Sequence, residues 1–151
     1  MGWDGGAAMI QLTRYTIVDK LHEGSETVIY RAIRDADQLP VVIKTPRSEY
    51  PTSRALANLQ HEYSMLRALD LPGVGVIKAL ALESRGNSLA LVLEDFGGQS
   101  LYKLAAQQPF GIEKTLQIAI AVADTLAILH AEPIVHKDLK PHDVLRRSPI
   151  C

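Results

Sequence analysis

Cysteine is nearly absent from this chain. Cys151, the last of 151 residues, stands alone, so no disulfide can form within the chain. Charge of one sign is lacking as well. The 16 Lys and Arg stand against 17 Asp and Glu, a formal net charge of -1, so no basic surface is advertised and nucleic acid is not an expected partner. No apolar run approaches the roughly 18 residues of a membrane-spanning helix. The N-terminus has no basic segment followed by an apolar one, so a secretory signal is not expected. Gly6 stands where an N-myristoylation signal takes Ser or Thr. No internal repeat is visible. These absences leave a soluble, cytoplasmic chain with no membrane insertion as the expectation.

The composition that remains is globular, 47% apolar and 22% charged, in a length that fits one domain around one core. Residues 1–8, MGWDGGAA, show no periodicity and are read as a disordered leader. Tyr15–Leu21 carries apolar residues at even spacing, and Val28–Ile33 is rich in β-branched residues; both read as strands. Arg34–Pro40 has turn chemistry, and Val41–Lys44 is a third strand, which together predict an antiparallel meander. Ser53 is placed to cap a helix running to about Leu69, with Leu56, Leu59, Tyr63, Leu66 and Leu69 on one face. Pro72, Gly73 and Gly75 make Leu71–Val76 a loop. Ile77–Leu82 and Leu89–Glu94 are two more strands around a turn at Arg85-Gly86-Asn87. Gly97-Gly98 breaks the chain, and a short helix is expected from Ser100 to Gln107.

Glu113–His130 carries the strongest helical pattern. Leu116, Ile118, Ile120, Val122, Leu126, Ile128 and Leu129 occupy nearly every face, which suits a helix in the middle of something larger. The roughly 20 residues after it are too few to cover it. Five strands with one inserted helix, followed by helices, predict an α+β fold with segregated layers.

Several segments carry residue types suited to phosphate chemistry. Leu21–Tyr30 turns around Gly24, where a missing Cβ would let backbone N–H groups approach a phosphate; a plain β-turn accounts for the same residues. Glu26 would repel that phosphate unless it points outward. In Val41-Val42-Ile43-Lys44, alternation sets Val42 and Lys44 on one face and Val41 and Ile43 on the other. Lys44 then either reaches a ligand or is a solvated charge at a strand end. Glu62 is either its counter-charge or an exposed helix carboxylate. Leu91–Gly98 reads as a buried strand ending in a glycine turn. His130, His136 and His142 lie near two aspartates, but at no zinc-binding spacing.

In their order and spacing these segments, over about residues 13–146, resemble the protein kinase family. Leu21–Tyr30 resembles L-G-x-G-x-x-G-x-V-Y, with Gly24 kept and His22 and Thr27 in place of the other glycines. Val41–Lys44 resembles V-A-I-K. His136-Lys137-Asp138-Leu139-Lys140-Pro141-His142-Asp143 resembles H-R-D-L-K-x-x-N, with Asp143 in place of Asn. Asp-x-Lys-Pro is similar to Ser/Thr kinases rather than tyrosine kinases, and His-Lys-Asp differs from the H-G-D of small-molecule phosphotransferases. More narrowly, the run resembles the N-terminal Ser/Thr kinase domains of bacterial multidomain sensor histidine kinases, in which a sparse glycine loop is usual.

The resemblance implies a protein-kinase-like fold. A five-stranded antiparallel small lobe with one helix would span residues 9–96, and the first helices of a large lobe residues 97–151. It implies ATP and Mg2+ as cofactors, a protein substrate, and sensor domains downstream in the parent. Gly24 would lie over the phosphates, Ile29 and Val42 above adenine, and Leu145 below it. Lys44, held by Glu62, would meet the α- and β-phosphates. Leu93 would gate the back pocket, and backbone groups around Glu94, Asp95 and Phe96 would hydrogen-bond adenine. Asp138 would orient the substrate hydroxyl and accept its proton, and Lys140 would steady the transferring phosphoryl charge. Asp143 would ligate magnesium, adding negative charge near Asp138. His136 would be structural.

No D-F-G or A-P-E follows Asp143. The D-F-G aspartate is the family's main magnesium ligand, so little or no phosphoryl transfer is expected from these residues alone. The alternatives are a non-catalytic ATP-binding or regulatory module, and a gene fragment without function. Where the family has an apolar strand, Arg146, Arg147 and Pro149 read as an interruption.

Overall fold

Alternating aliphatic and β-branched residues build the first two thirds of the chain into one curled sheet with a helix laid across it. The computed structural model describes residues 12–70, 76–131 and 145–147, the last three by their backbone alone. The expected leader at residues 1–8 and most of the Leu71–Val76 loop lie outside the described residues.

Strands β1 (Tyr15–Glu23), β2 (Thr27–Arg34) and β3 (Leu39–Pro46) form the expected meander. Helix α1 (Ser53–Ala68) follows, then β4 (Ala79–Arg85) and β5 (Ser88–Glu94). The sheet order is β1-β2-β3-β5-β4, antiparallel throughout, so β5 returns to the middle of the sheet and leaves β4 at the edge. Beyond β5 come a short strand β6 (Gly98–Ser100), α2 (Leu101–Gln107), α3 (Ile112–Ala131) and β7 (Leu145–Arg147).

Several boundaries differ from the sequence expectation. Strand β3 starts at Leu39 and runs through Pro40, because the turn before it is tight. Gln38 takes φ 57, which lets Arg34 pair directly with Leu39. Asp37 secures that turn by accepting from Arg34 Nε at 2.9 Å, from Arg34 Nη2 at 2.6 Å and from the Leu39 amide at 3.3 Å. Hydrogen bonding from the guanidinium holds the Asp37 carboxyl down to about 2. Thr52, not Ser53, caps α1: its hydroxyl accepts the Ala55 amide at 3.1 Å. Ser100 caps α2 in the same way, accepting from Lys103 at 3.2 Å. Arg146 and Arg147 do not interrupt a strand. They lie within β7, which pairs with β6 from Gly98↔Arg147 to Ser100↔Leu145. Ladder pairing asks only for extended backbone, so charged residues do not prevent it.

The two faces of the sheet carry two separate cores. Val41, Ile43, Ala32, Ala90 and Val92 point to one face and pack with Leu12 and Tyr15. Leu91, Leu93 and Ala79 point to the other, where Leu59 of α1 covers them with Tyr63 and Leu66 alongside. The first face is closed by curling. Tyr15 on β1 donates its hydroxyl to Glu83 on β4 at 2.8 Å, although the two strands are opposite edges of the sheet. Burial, reinforced by Glu83, pushes the Tyr15 phenol up to about 12. By contrast α3 buries only Leu129, while Ile112, Leu116 and Ile120 are exposed.

Tyr15→Phe removes the edge-to-edge hydrogen bond and should lower stability by about 1–2 kcal/mol at neutral pH. Because the folded phenol titrates above its ordinary 10, its contribution is full below pH 10 and lost as pH rises through about 12. Urea unfolding below and above that window should show the alkaline loss in the parent chain and a smaller one in Tyr15→Phe.

Candidate active site

Strand register sets the candidate site residues side by side. Directly paired residues share a face, and the pairs His22↔Ile29, Ile29↔Lys44 and Lys44↔Leu91 form one row across four strands. A second row runs Asp19↔Arg31, Arg31↔Val42 and Val42↔Leu93. Both rows lie on the face that α1 covers, which brings Ile29, Val42, Lys44 and Leu93 together.

Leu59 anchors α1 against this face, and Glu62 follows it by one helical turn on the same side. Lys44 Nζ therefore lies 2.9 Å from Glu62 Oε2. The two side chains are 27% and 31% exposed, so the pair is half desolvated and open on one side. It opens into a cavity of about 330 Å³ lined by Gly24, Ser25, Glu26, Thr27, Asn58 and the pair itself.

The turn above that cavity has one glycine and is braced from below. The Gly24 amide donates to the Thr27 carbonyl at 2.8 Å, and the Arg47 amide donates to the Glu26 carbonyl at 2.9 Å. Arg47 also pairs with Glu23 at 3.3 Å and reaches the Gly24 carbonyl at 3.4 Å. A Cβ built at Gly24 would meet only ordinary contacts, the nearest being His22 Nε2 and the Thr27 carbonyl at 3.5 Å. The turn itself does not require glycine there.

The linker after β5 is tied down at both ends. The Glu94 amide donates to the Lys78 carbonyl at 3.0 Å, and its carboxylate accepts the Lys78 amide at 2.9 Å. Asp95 accepts from Arg31 Nε at 2.7 Å and from the Gly97 amide at 2.8 Å, while Gly97 adopts φ 73. The Phe96 ring lies against Gly98 so closely that a Cβ there would collide with a ring carbon. The β6–β7 ribbon then sets Leu145 opposite Ser100, returning the later chain to the linker. Asp138, Lys140 and Asp143 lie outside the described residues. Among the described residues no three His, Cys, Asp or Glu side chains are grouped to hold a metal.

Sequence reasoning singled out neither Arg31 nor Arg47, and it took Asp95 only for its backbone, not for its carboxylate. Asp95 had a readable signal in its Asp-x-Gly turn, and Arg31 lies two residues beyond Ile29 on the same strand face. Arg47 had none, since its partners are backbone groups of the preceding turn.

A model of the protein kinase domain matches residues 15–149. The chain belongs to the protein kinase family. Its relatives include serine/threonine-protein kinase PkaB of Streptomyces coelicolor, 32% identical over 135 residues that cover 88% of this chain and 31% of that kinase. Serine/threonine-protein kinase D of Synechocystis is 29% identical over 144 residues, 91% of this chain and 28% of the relative. The chain thus spans less than a third of the length of these kinases. The crystal structure of Rad53 1–466 in complex with AMP-PNP superimposes with a TM-score of 0.73 at 18% identity, over 90% of this chain and 35% of that one, which is a likeness of fold. The curled sheet with α1 is the small lobe of a protein kinase, and the segment from β6 to α3 begins its large lobe.

Because the Gly24 position has room for a methyl group in this kinase fold, Gly24→Ala should change folding stability by less than about 0.5 kcal/mol. Calorimetric unfolding checks this; a clear loss would mean that the turn, rather than a ligand, demands glycine.

Proposed function

We propose that this chain is the nucleotide-binding part of a Ser/Thr protein kinase whose parent transfers the γ-phosphoryl group of ATP to protein hydroxyls. The observation that carries this reading is the Lys44–Glu62 pair, 2.9 Å apart, opening into a cavity roofed by the Gly24–Thr27 turn. Glu62 holds the Lys44 ammonium extended, where it meets the α- and β-phosphates as a preformed counter-charge. Ile29 and Val42 cover the adenine, with Leu145 beneath it and Leu93 at the back. The Glu94 amide is already donated to Lys78, so base recognition falls to the rest of the Glu94–Phe96 backbone.

Asp138 orients the substrate hydroxyl and accepts its proton, and Lys140 stabilises charge on the transferring group. Asp143 would be the ligand from this chain for Mg2+, which would neutralise phosphate charge when bound. The parent reading is a bacterial multidomain sensor histidine kinase, acting in the cytoplasm where ATP is supplied. The sequence run Leu93-Glu94-Asp95-Phe96-Gly97-Gly98-Gln99-Ser100-Leu101 supports it. His22 and Thr27 in glycine positions and Asp143 in place of Asn favour a second reading, a module that binds ATP without transferring phosphate.

Two measurements on the 151-residue polypeptide test these readings. Titration calorimetry should show ATP binding that falls about tenfold or more in Lys44→Met, the loss expected for one charge-assisted contact. Failure to bind ATP would overturn the nucleotide reading. Radiolabel transfer to casein should be at background, since no D-F-G follows Asp143. Metal-dependent transfer that disappears in Asp138→Ala would overturn the expected inactivity of these residues by themselves and the non-catalytic reading with it.

A further inference from the structure

We propose that Arg31 and Asp95 form a positioning pair that holds the linker at a set distance from the sheet and thereby governs recognition of the nucleotide base. The inference rests on the nucleotide-binding reading above. It goes beyond that reading by assigning base selectivity to two side chains 64 residues apart in sequence.

The Asp95 side chain is only 8% exposed, and a carboxylate removed from water to that degree needs a donor on each oxygen. Both are supplied. Oδ2 accepts from Arg31 Nε at 2.7 Å, and Oδ1 accepts from the Gly97 amide at 2.8 Å. The first bond ties the linker to β2. The second folds the linker into a turn that only the left-handed Gly97, at φ 73, completes. Asp95 therefore fixes both where the linker sits and how its backbone is turned.

Arg31 occupies the informative place in the sheet. It pairs with Val42, which pairs with Leu93, so its row lies at the base end of the site, while the row of Ile29 and Lys44 lies toward the phosphate end. Its guanidinium spans from the roof strand that carries Ile29 to the Asp95 carboxylate on the linker. A planar base would sit between these two. The Arg31 side chain is 35% exposed, so the arginine end of the pair lies at the rim of the slot rather than in a core. Glu94 fastens the near end of the linker to Lys78 independently. Loss of the pair would loosen the linker beyond Glu94 without detaching β5.

Asp95→Asn and Arg31→Met, made in the full chain, test this by titration calorimetry with ATP, GTP and inorganic tripolyphosphate, with thermal unfolding in parallel. Each variant should weaken ATP about tenfold or more and reduce the preference for ATP over GTP, the loss expected for a charge-assisted bond. Tripolyphosphate, which lacks a base, should change by less than about twofold. The double variant should lose no more ATP affinity than either single one, because the two groups act as a unit. Equal weakening of ATP and tripolyphosphate, or an unchanged ATP-to-GTP ratio, would overturn the proposal and leave the pair a purely structural contact. A parent chain that binds none of the three probes would defeat the nucleotide reading itself; a parent that binds ATP and tripolyphosphate, with variants that keep its base preference, defeats only the pair. Should Asp95→Asn fail to fold, Arg31→Met, which keeps the aliphatic stem and the Gly97 bond, carries the test.

Discussion

Strict two-residue alternation along β3 is the constraint on which the rest of this molecule depends. Val41, Ile43 and Thr45 are buried on one face, while Val42 and Lys44 point to the other. A slip of one residue would bury Lys44 without a partner and expose Ile43. Register is therefore specified by the cost of the wrong pairing as much as by the gain of the right one. The neighbours follow from it. Because Lys44 is presented on the helix side, Glu62 has a charge to meet, and because Leu91 and Leu93 share that side, Leu59 has an apolar surface to cover. One strand thus sets the packing of α1 and the location of the charged pair together.

The opposite face is closed by a different means. No helix covers Val41, Ile43, Ala90 and Val92 among the described residues; the sheet curls until its two edges meet, and Tyr15 and Glu83 bond across the gap. Twist inherent in the strands supplies the curl, and the register shifts in β1 after Ile17 and after Lys20 increase it at the edge. The same irregular strand leads into the Gly24 turn. The glycines expected of a phosphate-covering loop are few, and the turn is instead braced by Arg47 through the Glu26 and Gly24 carbonyls and the Glu23 carboxylate. Backbone accessibility at one glycine, combined with a braced base, describes a stiffer cover than a loop with three glycines.

Elements with strong local signals were legible from residues alone. The five strands, α1 and the long α3 all lie where alternation or 3.6-residue periodicity placed them, to within a few residues. The errors fell where a short-range reading had no access to the deciding partner. Ser53 is the better cap by propensity, and only the path of the chain into α1 selects Thr52. Arg146 and Arg147 argue against a strand by propensity, yet β6 lies beside them and offers a free edge. Helix α3 is apolar on nearly every face and buries only Leu129, so its pattern was read correctly although no described element covers it.

The family resemblance, the order of elements and the residue types at each motif were legible without coordinates, because they reside in local periodicity and in spacings along the chain. Tertiary structure decided which charges meet. Tyr15 with Glu83 and Arg31 with Asp95, 68 and 64 residues apart, meet only through strand register and sheet curl, whereas Lys44 with Glu62 was already expected from the motifs that carry them. Coulombic and hydrogen-bonding partners are chosen by distance in space, and that distance has no local signature in a chain.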